Sequence, residues 1–210
     1  MGPLEDDLDA VRFIPRHSFE FIERYLHQIL RWNAEIGLVS KKDPAATCRR
    51  LLLESAEFGD VIARALEPDR TAAIRVADVG SGAGFPGLVW QSIYRGWSFV
   101  LIERREKKAA FLQRIARELG SSRVEVFAGD ARDASRLERF RGAFDVVATM
   151  AVGEPGRTAP QIEGLLAVGG VFATTLADSV DVPERCGRSL VLEGDVRANF
   201  GRYARYRNRV

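Results

Sequence analysis

Four glycines fall within the ten residues Asp78-Val79-Gly80-Ser81-Gly82-Ala83-Gly84-Phe85-Pro86-Gly87. They directly follow a β-branched run, Ile74–Val79, and precede a stretch that reads as a helix over 87–95. Glycine lets the chain turn sharply and brings backbone close to a ligand with no Cβ in the way. The next helix aims its free N–H groups and positive end at whatever binds there. A strand, a glycine loop and a helix in immediate succession call for a parallel crossover, and so for an α/β fold.

The rest of the chain supports that reading. Strand patterns at Ser98–Ile102, Arg123–Phe127, Phe144–Ala148 and Gly170–Thr175 alternate with helical patterns at Lys107–Leu119, Ala131–Phe140 and Pro160–Leu166. Five strands alternating with helices predict a mostly parallel sheet. Residues 187–209 add two strands, Leu190–Leu192 and Gly201–Arg207, with no helix between them. They are expected to pair antiparallel, with a turn at Gly194-Asp195, giving seven strands.

Upstream, Phe19, Ile22, Leu26, Ile29, Leu30 and Ile36 recur at helical spacing. Ser18 is the candidate N-cap and Gly37 the stop. Residues 38–46 read as a loop, and a second helix runs from Ala46 to Leu66, ending near Pro68. The acidic residues 1–12 are expected to be frayed. The organisation predicted is a helical N-terminal extension over 1–70 and an α/β domain over 71–210, packed as one unit.

Composition excludes several classes. With 210 residues, 46% hydrophobic and 29% charged, the chain is globular and buries enough surface to need no disulfide or metal. No apolar stretch is long enough to span a membrane, and the N-terminus lacks a secretory pattern, so a cytoplasmic setting is expected. Cys48 and Cys186 stand far apart, and with only His17 and His27 no zinc spacing can be drawn. The first ten residues hold four carboxylates and no base, so the other 200 carry +6 of the net +2. Arg197, Arg202, Arg205, Arg207 and Arg209 cluster at the C-terminus. That cluster suits either phosphate contacts or a strand edge guarded by charge.

Two readings of the glycines compete. Gly82, Gly84 and Gly87 satisfy G-x-G-x-x-G, the dinucleotide fingerprint. Gly80, Gly82 and Gly84 give G-x-G-x-G with Asp78 two positions earlier, a pattern that resembles S-adenosylmethionine-dependent methyltransferases. Placement favours the second, because Gly80 stands where the strand ends. A carboxylate at Asp78 suits a cationic ligand and would repel a pyrophosphate. Glu103 lies 19 residues after Gly84, at the end of the next strand, where an acid takes ribose hydroxyls. It could equally pair with Arg104 or Lys107. Asp130, in Gly129-Asp130-Ala131-Arg132, could accept from an adenine amine or simply cap the following helix.

The acceptor is indicated by missing motifs. There is no Asn/Asp-Pro-Pro-aromatic segment for exocyclic amines and no Pro-Cys for attack on a pyrimidine. His17 and His27 both fall on the N-terminal helix. An acceptor that needs no deprotonation fits, and guanine N7 is one; catalysis then needs proximity and alignment.

Three segments together resemble the RsmG (GidB) family. They are Trp32-Asn33-Ala34-Glu35-Ile36-Gly37-Leu38-Val39-Ser40, the loop DVGSGAGFPGL over Asp78–Leu88, and Glu103–Leu112. The resemblance covers about residues 19 to 176. It implies a class I, Rossmann-like methyltransferase that methylates N7 of a guanosine in 16S ribosomal RNA. The implied cofactor contacts are Gly80, Phe85, Ala131 and Arg132, with Glu103 on the ribose; Asp78, Gly82, Gly84 and Asp130 complete the expected site. The implied partner is ribosomal RNA or the small ribosomal subunit, bound on a basic face, with no metal and the protein a monomer. Departures are visible too. Met150 stands where the family usually has an arginine, Thr174-Thr175-Leu176-Ala177 lacks the family's lysine, and Gly37 replaces an asparagine. Arg157, in the adjacent loop, could replace one cation. The alternatives are a methyltransferase acting on another RNA, a protein or a small molecule, and a non-catalytic paralogue that binds cofactor or RNA.

Overall fold

The computed structural model describes residues 4–66, 73–150 and 153–209. The expected domain boundary at 70/71 lies outside the described residues. A short helix α1 (Leu8–Phe13) precedes two long ones, α2 (Phe19–Ile36) and α3 (Pro44–Ala65). Then follow β1 (Arg75–Val79), α4 (Gly87–Ile93), β2 (Ser98–Glu103), α5 (Glu106–Glu118), β3 (Val124–Ala128), α6 (Ala131–Ala134), β4 (Phe144–Thr149), α7 (Pro155–Ile162) and β5 (Leu166–Leu176). The chain closes with β6 (Arg185–Cys186), β7 (Leu190–Arg197) and β8 (Arg202–Asn208).

The strands form one sheet in the order β3-β2-β1-β4-β5-β8-β7-β6. The first five are parallel, and β8 joins β5 antiparallel. The order reverses beside β1, which opens a crevice at the carboxyl ends of β1, β2 and β4. Alternation along the strands sends Val76, Leu101, Val146 and Ala173 toward α2–α5, and Ala77, Ile102, Val147 and Phe172 toward α6 and α7.

Several expected boundaries moved, each for a local reason. The α/β prediction named seven strands; β6, two residues long, is an eighth. The second long helix starts at Pro44 because Asp43 caps it, accepting from Ala46 N at 3.0 Å, with proline at the first position. α6 stops at Ala134, and the chain goes on to Phe140 through i→i+3 turns. α7 begins at Pro155, leaving Pro160 inside it. The turn before β8 is at 198–201, closed by Ala198 N donating to Gly201 O. Gly194 instead marks a register shift within β7, where the Arg205 guanidinium packs against it.

The N-terminal segment is not frayed over the residues described. Asp7 caps α1, and Arg49 of α3 pairs with Asp7 at 2.7 Å and Asp9 at 3.0 Å. Leu4, Ala10 and Ile14 are buried. The arginines of the C-terminal hairpin are engaged within the fold. Arg207 and Arg209 each lie 3.0 Å from Glu193, Arg205 lies 3.6 Å from it, and Arg202 pairs with Asp195. Neither expected reading describes them as placed, because β8 lies between β5 and β7 rather than at the sheet's edge and their charges are met by carboxylates of the fold. Cys48 and Cys186 are free and buried. Among the described residues, no helix is long and apolar enough to cross a membrane, and no cluster of His, Cys, Asp or Glu is placed to hold a metal.

Candidate active site

The glycine loop turns directly off β1. Gly80 N and Ser81 N both donate to Ile102 O of β2, at 2.8 and 3.3 Å. Gly80, Gly82 and Gly84 have φ of 77°, 58° and 111°, the left-handed region that side chains disfavour. At Gly84 the space is closed as well, because a Cβ would lie 2.7 Å from Leu88 and 2.9 Å from the Tyr25 hydroxyl.

Glu103 crosses from β2 to the loop. One carboxylate oxygen accepts from Gly82 N at 2.9 Å and the other from Arg105 N at 2.8 Å. Each oxygen keeps lone-pair capacity for a further donor. The alternative, an ion pair with Arg104 or Lys107, is not made. Asp130 caps α6 through Arg132 N at 2.9 Å, which leaves its second oxygen free for another partner. Its two readings are thus compatible.

These groups share one cleft of about 580 Å3, lined by Gly80, Gly82, Glu103, Asp130, Ala131 and Met150 among others. That volume lies in the range of small-molecule sites, typically about 300–1,000 Å3. Arg104, Arg105 and Lys108 line the cleft as well, as do Arg157, Thr158 and Gln161.

Four expected site residues do not line the cleft. Gly84 and Phe85 lie behind the loop, where Phe85 packs against Tyr25 at 5.4 Å between ring centroids. Arg132 is exposed on α6 and contributes its amide to Asp130. Asp78 is fully buried beneath the loop, so its carboxylate supports the turn from below. One of its oxygens accepts from Gly87 N at 3.1 Å; the other has no partner. Burial pushes the Asp78 pKa up to about 8, against the pull of the Gly87 N–H.

Sequence reasoning missed Tyr25. It projects from α2, is fully buried, and donates to Ala83 O in the glycine loop at 3.0 Å. The only signal was a hydroxyl inside an otherwise apolar stripe, which must find an acceptor when buried. Met150, at the end of β4, presents a thioether to the cleft; the Ser55 hydroxyl lies 3.4 Å from its sulfur. Behind it, Thr149 donates to Thr174 at 2.8 Å. No histidine or cysteine lines the cleft among the described residues, and His17 and His27 are exposed.

Comparison with known proteins agrees with this geometry. A solved structure titled as a putative methyltransferase yhhF from Escherichia coli aligns with a TM-score of 0.59 at 16% identity, covering 73% of this chain and 87% of that one. An MtNAS mutant in complex with S-adenosylmethionine aligns at 0.61 and 16% identity, covering 92% and 77%. At these identities the likeness carries the fold. Sequence relatives go further. A "Ribosomal RNA small subunit methyltransferase G" of Halorhodospira halophila is 37% identical over 169 residues, 80% of this chain and 71% of the relative. Another, of Exiguobacterium sibiricum, is 29% identical over 88% of this chain and 76% of the relative. The family model for rRNA small subunit methyltransferase G matches residues 18–180, spanning α2, α3, the glycine loop and all five parallel strands. The chain belongs to the rRNA small subunit methyltransferase G (GidB) family.

Proposed function

We propose that this protein transfers a methyl group from S-adenosylmethionine to N7 of a guanosine in 16S ribosomal RNA, acting as a monomer in the cytoplasm. The observation that carries the reading is the convergence of the glycine loop, Glu103 and Asp130 on one cleft in a chain of this family. The residues fit the cofactor. Glu103, already fixed by two backbone amides, retains lone pairs for ribose hydroxyls, and the free oxygen of Asp130 suits an exocyclic amine. Gly80, Gly82 and Ala131 let the backbone come close to an adenosyl group.

The cofactor supplies a methyl group on a positively charged sulfur. The chain's own task is then to hold and align. The cleft wall offers no imidazole or thiol among the described residues, which suits an acceptor whose lone pair is free at neutral pH. The guanine is to be bound out of its stack, as in other base-modifying enzymes. Met150 gives the acceptor end an uncharged thioether of the kind that packs well against an aromatic ring.

Methyl transfer from labelled cofactor to 30S subunits and to naked 16S RNA, both from cells lacking this protein, tests the reading. Recovery of the label as 7-methylguanosine is the expected result. A second reading, a methyltransferase with another acceptor, is favoured by the neutral side chains at Met150 and Thr174–Leu176. Cofactor binding with no label in either RNA would select it.

A further inference from the structure

We propose that Arg104, Arg105 and Lys108, which line the cleft, together with the neighbouring Lys107, are the surface that grips the RNA backbone, and that the arginine-rich C-terminal hairpin is not. The proposal rests on the methyl-transfer reading only in taking the polyanion to be RNA.

Three observations carry it. First, these cations stand at the wrong end of a helix. Arg105 is the N-cap of the 13-residue α5 and makes no side-chain cap, and Lys107 and Lys108 fall in its first turn beside a single acid, Glu106. Four cations at the positive pole oppose the helix dipole, so the arrangement works against folding. Local rules broken without a structural return mark sites kept for function.

Second, the four cations have no carboxylate partner among the described residues. Many arginines elsewhere do, among them Arg49 with Asp7 and Asp9, Arg64 with Asp60, Arg114 with Glu118, and Arg202, Arg207 and Arg209 in the C-terminal hairpin; those that do not, such as Arg95 and Arg117, stand away from the cleft. The nearest acids of the cleft, Glu103 and Asp130, turn toward backbone amides and make no ion pair with these cations. Burial, then the neighbouring Arg105, holds the Lys108 ammonium below its usual pKa, with Glu103 pulling the other way. The balancing negative charge has to come from outside the fold.

Third, the placement suits a substrate entering this cleft. Arg104, Arg105 and Lys108 line the cleft together with Glu103. Arg104 and Arg105 are exposed, as is Lys107 beside them. A phosphodiester strand crossing the cleft would meet several cations in succession while one base turned inward.

Binding of the full chain to labelled 16S RNA, followed across about 50–200 mM salt, tests the proposal because each phosphate contact adds roughly 0.7–0.9 to the log–log slope. R104A/R105A is expected to lower the slope by about 1.5 and to weaken binding at least tenfold at low salt. R104K/R105K should restore most of the slope. R197A/R209A, in the hairpin, should leave it unchanged. Thermal melts followed by circular dichroism establish that each variant is folded. An unchanged slope in R104A/R105A, a loss confined to R197A/R209A, or no RNA binding by the unmodified chain would overturn the proposal. Methyl transfer is scored separately. RNA methylated with the slope intact in R104A/R105A removes this surface and leaves the function standing. RNA gripped here but never methylated keeps the surface and removes the function.

Discussion

The phenol of Tyr25 donates to the carbonyl of Ala83 at 3.0 Å, across 58 residues of sequence. The donor lies on α2 and the acceptor inside the glycine loop. α2 is therefore part of the loop's support. Other ties run the same way. Ser18, at the start of α2, donates to Ser92 O at 2.7 Å, and Trp90 of α4 donates to Ser55 O of α3 at 2.6 Å. The helices that precede the sheet hold both ends of the segment that turns under the cleft.

Replacing Tyr25 by phenylalanine keeps the ring packing against Phe85 and deletes the hydroxyl. The Ala83 carbonyl then loses a buried donor, at a cost of about 1–2 kcal/mol in unfolding free energy. If the bond also sets the loop geometry, KM for S-adenosylmethionine rises several-fold while kcat stays within about twofold. Steady-state kinetics beside urea unfolding separates the two effects. A fall in stability with KM unchanged would make Tyr25 a core residue only.

Glu103 receives two backbone N–H groups, so its charge and both its oxygens matter. In E103Q the amide nitrogen must face one of those donors. Losing a charged acceptor costs about 1.5–3 kcal/mol, roughly a 10- to 100-fold loss of cofactor affinity. Isothermal titration calorimetry with S-adenosylmethionine reads it directly. Unaltered affinity would remove Glu103 from the ribose site.

Much of this was legible locally. The strand preceding Gly80, the glycine loop and the acid at Glu103 follow short-range rules, and they fall where the pattern put them. What was illegible depends on distant partners. The acidic N-terminus reads as frayed until Arg49 is brought to Asp7, 42 residues away. The terminal arginines read equally as phosphate ligands until Glu193 is found among them. Gly194-Asp195 has turn chemistry, yet the turn falls later because a glycine in a strand also serves a bulge. Asp78 was readable as part of the loop motif; its complete burial was not.

That burial sets a pH dependence. The Asp78 carboxyl, at about 8 in the native state, is far above the 3.8 of an ordinary aspartate. Between those values the native protein holds a proton that the unfolded chain releases. Its contribution to stability is complete at acid pH and is lost as pH rises toward about 8. The slope is about 1.4 kcal/mol per pH unit. D78N keeps an acceptor for Gly87 N and cannot titrate. The stability of the unmodified protein relative to D78N, from urea unfolding at several pH values between 5 and 8, should therefore decline with pH. A constant difference would mean that Asp78 titrates normally.

Glu57 of α3 ties the N-terminal helices to the C-terminal hairpin. It is 2% exposed, and its two oxygens accept from Asn199 N, Asn199 Nδ2, Phe200 N and the Tyr203 hydroxyl at 2.7–2.9 Å. Glu57→Ala leaves the buried Tyr203 hydroxyl and the half-buried Phe200 N without their acceptor, while the exposed Asn199 can turn to water; each unmet buried hydrogen bond costs about 1–3 kcal/mol and the losses are not additive. A net loss of about 4 kcal/mol would lower Tm by roughly 10 °C in a domain of this size. Glu57→Gln, which keeps one acceptor and turns an amide toward the remaining donors, should lose less. Scanning calorimetry on both variants checks the order. Because Glu57 does not line the cleft, cofactor affinity per folded molecule should stay at the unmodified value in both; a drop of tenfold or more would instead place the hairpin turn in communication with the site.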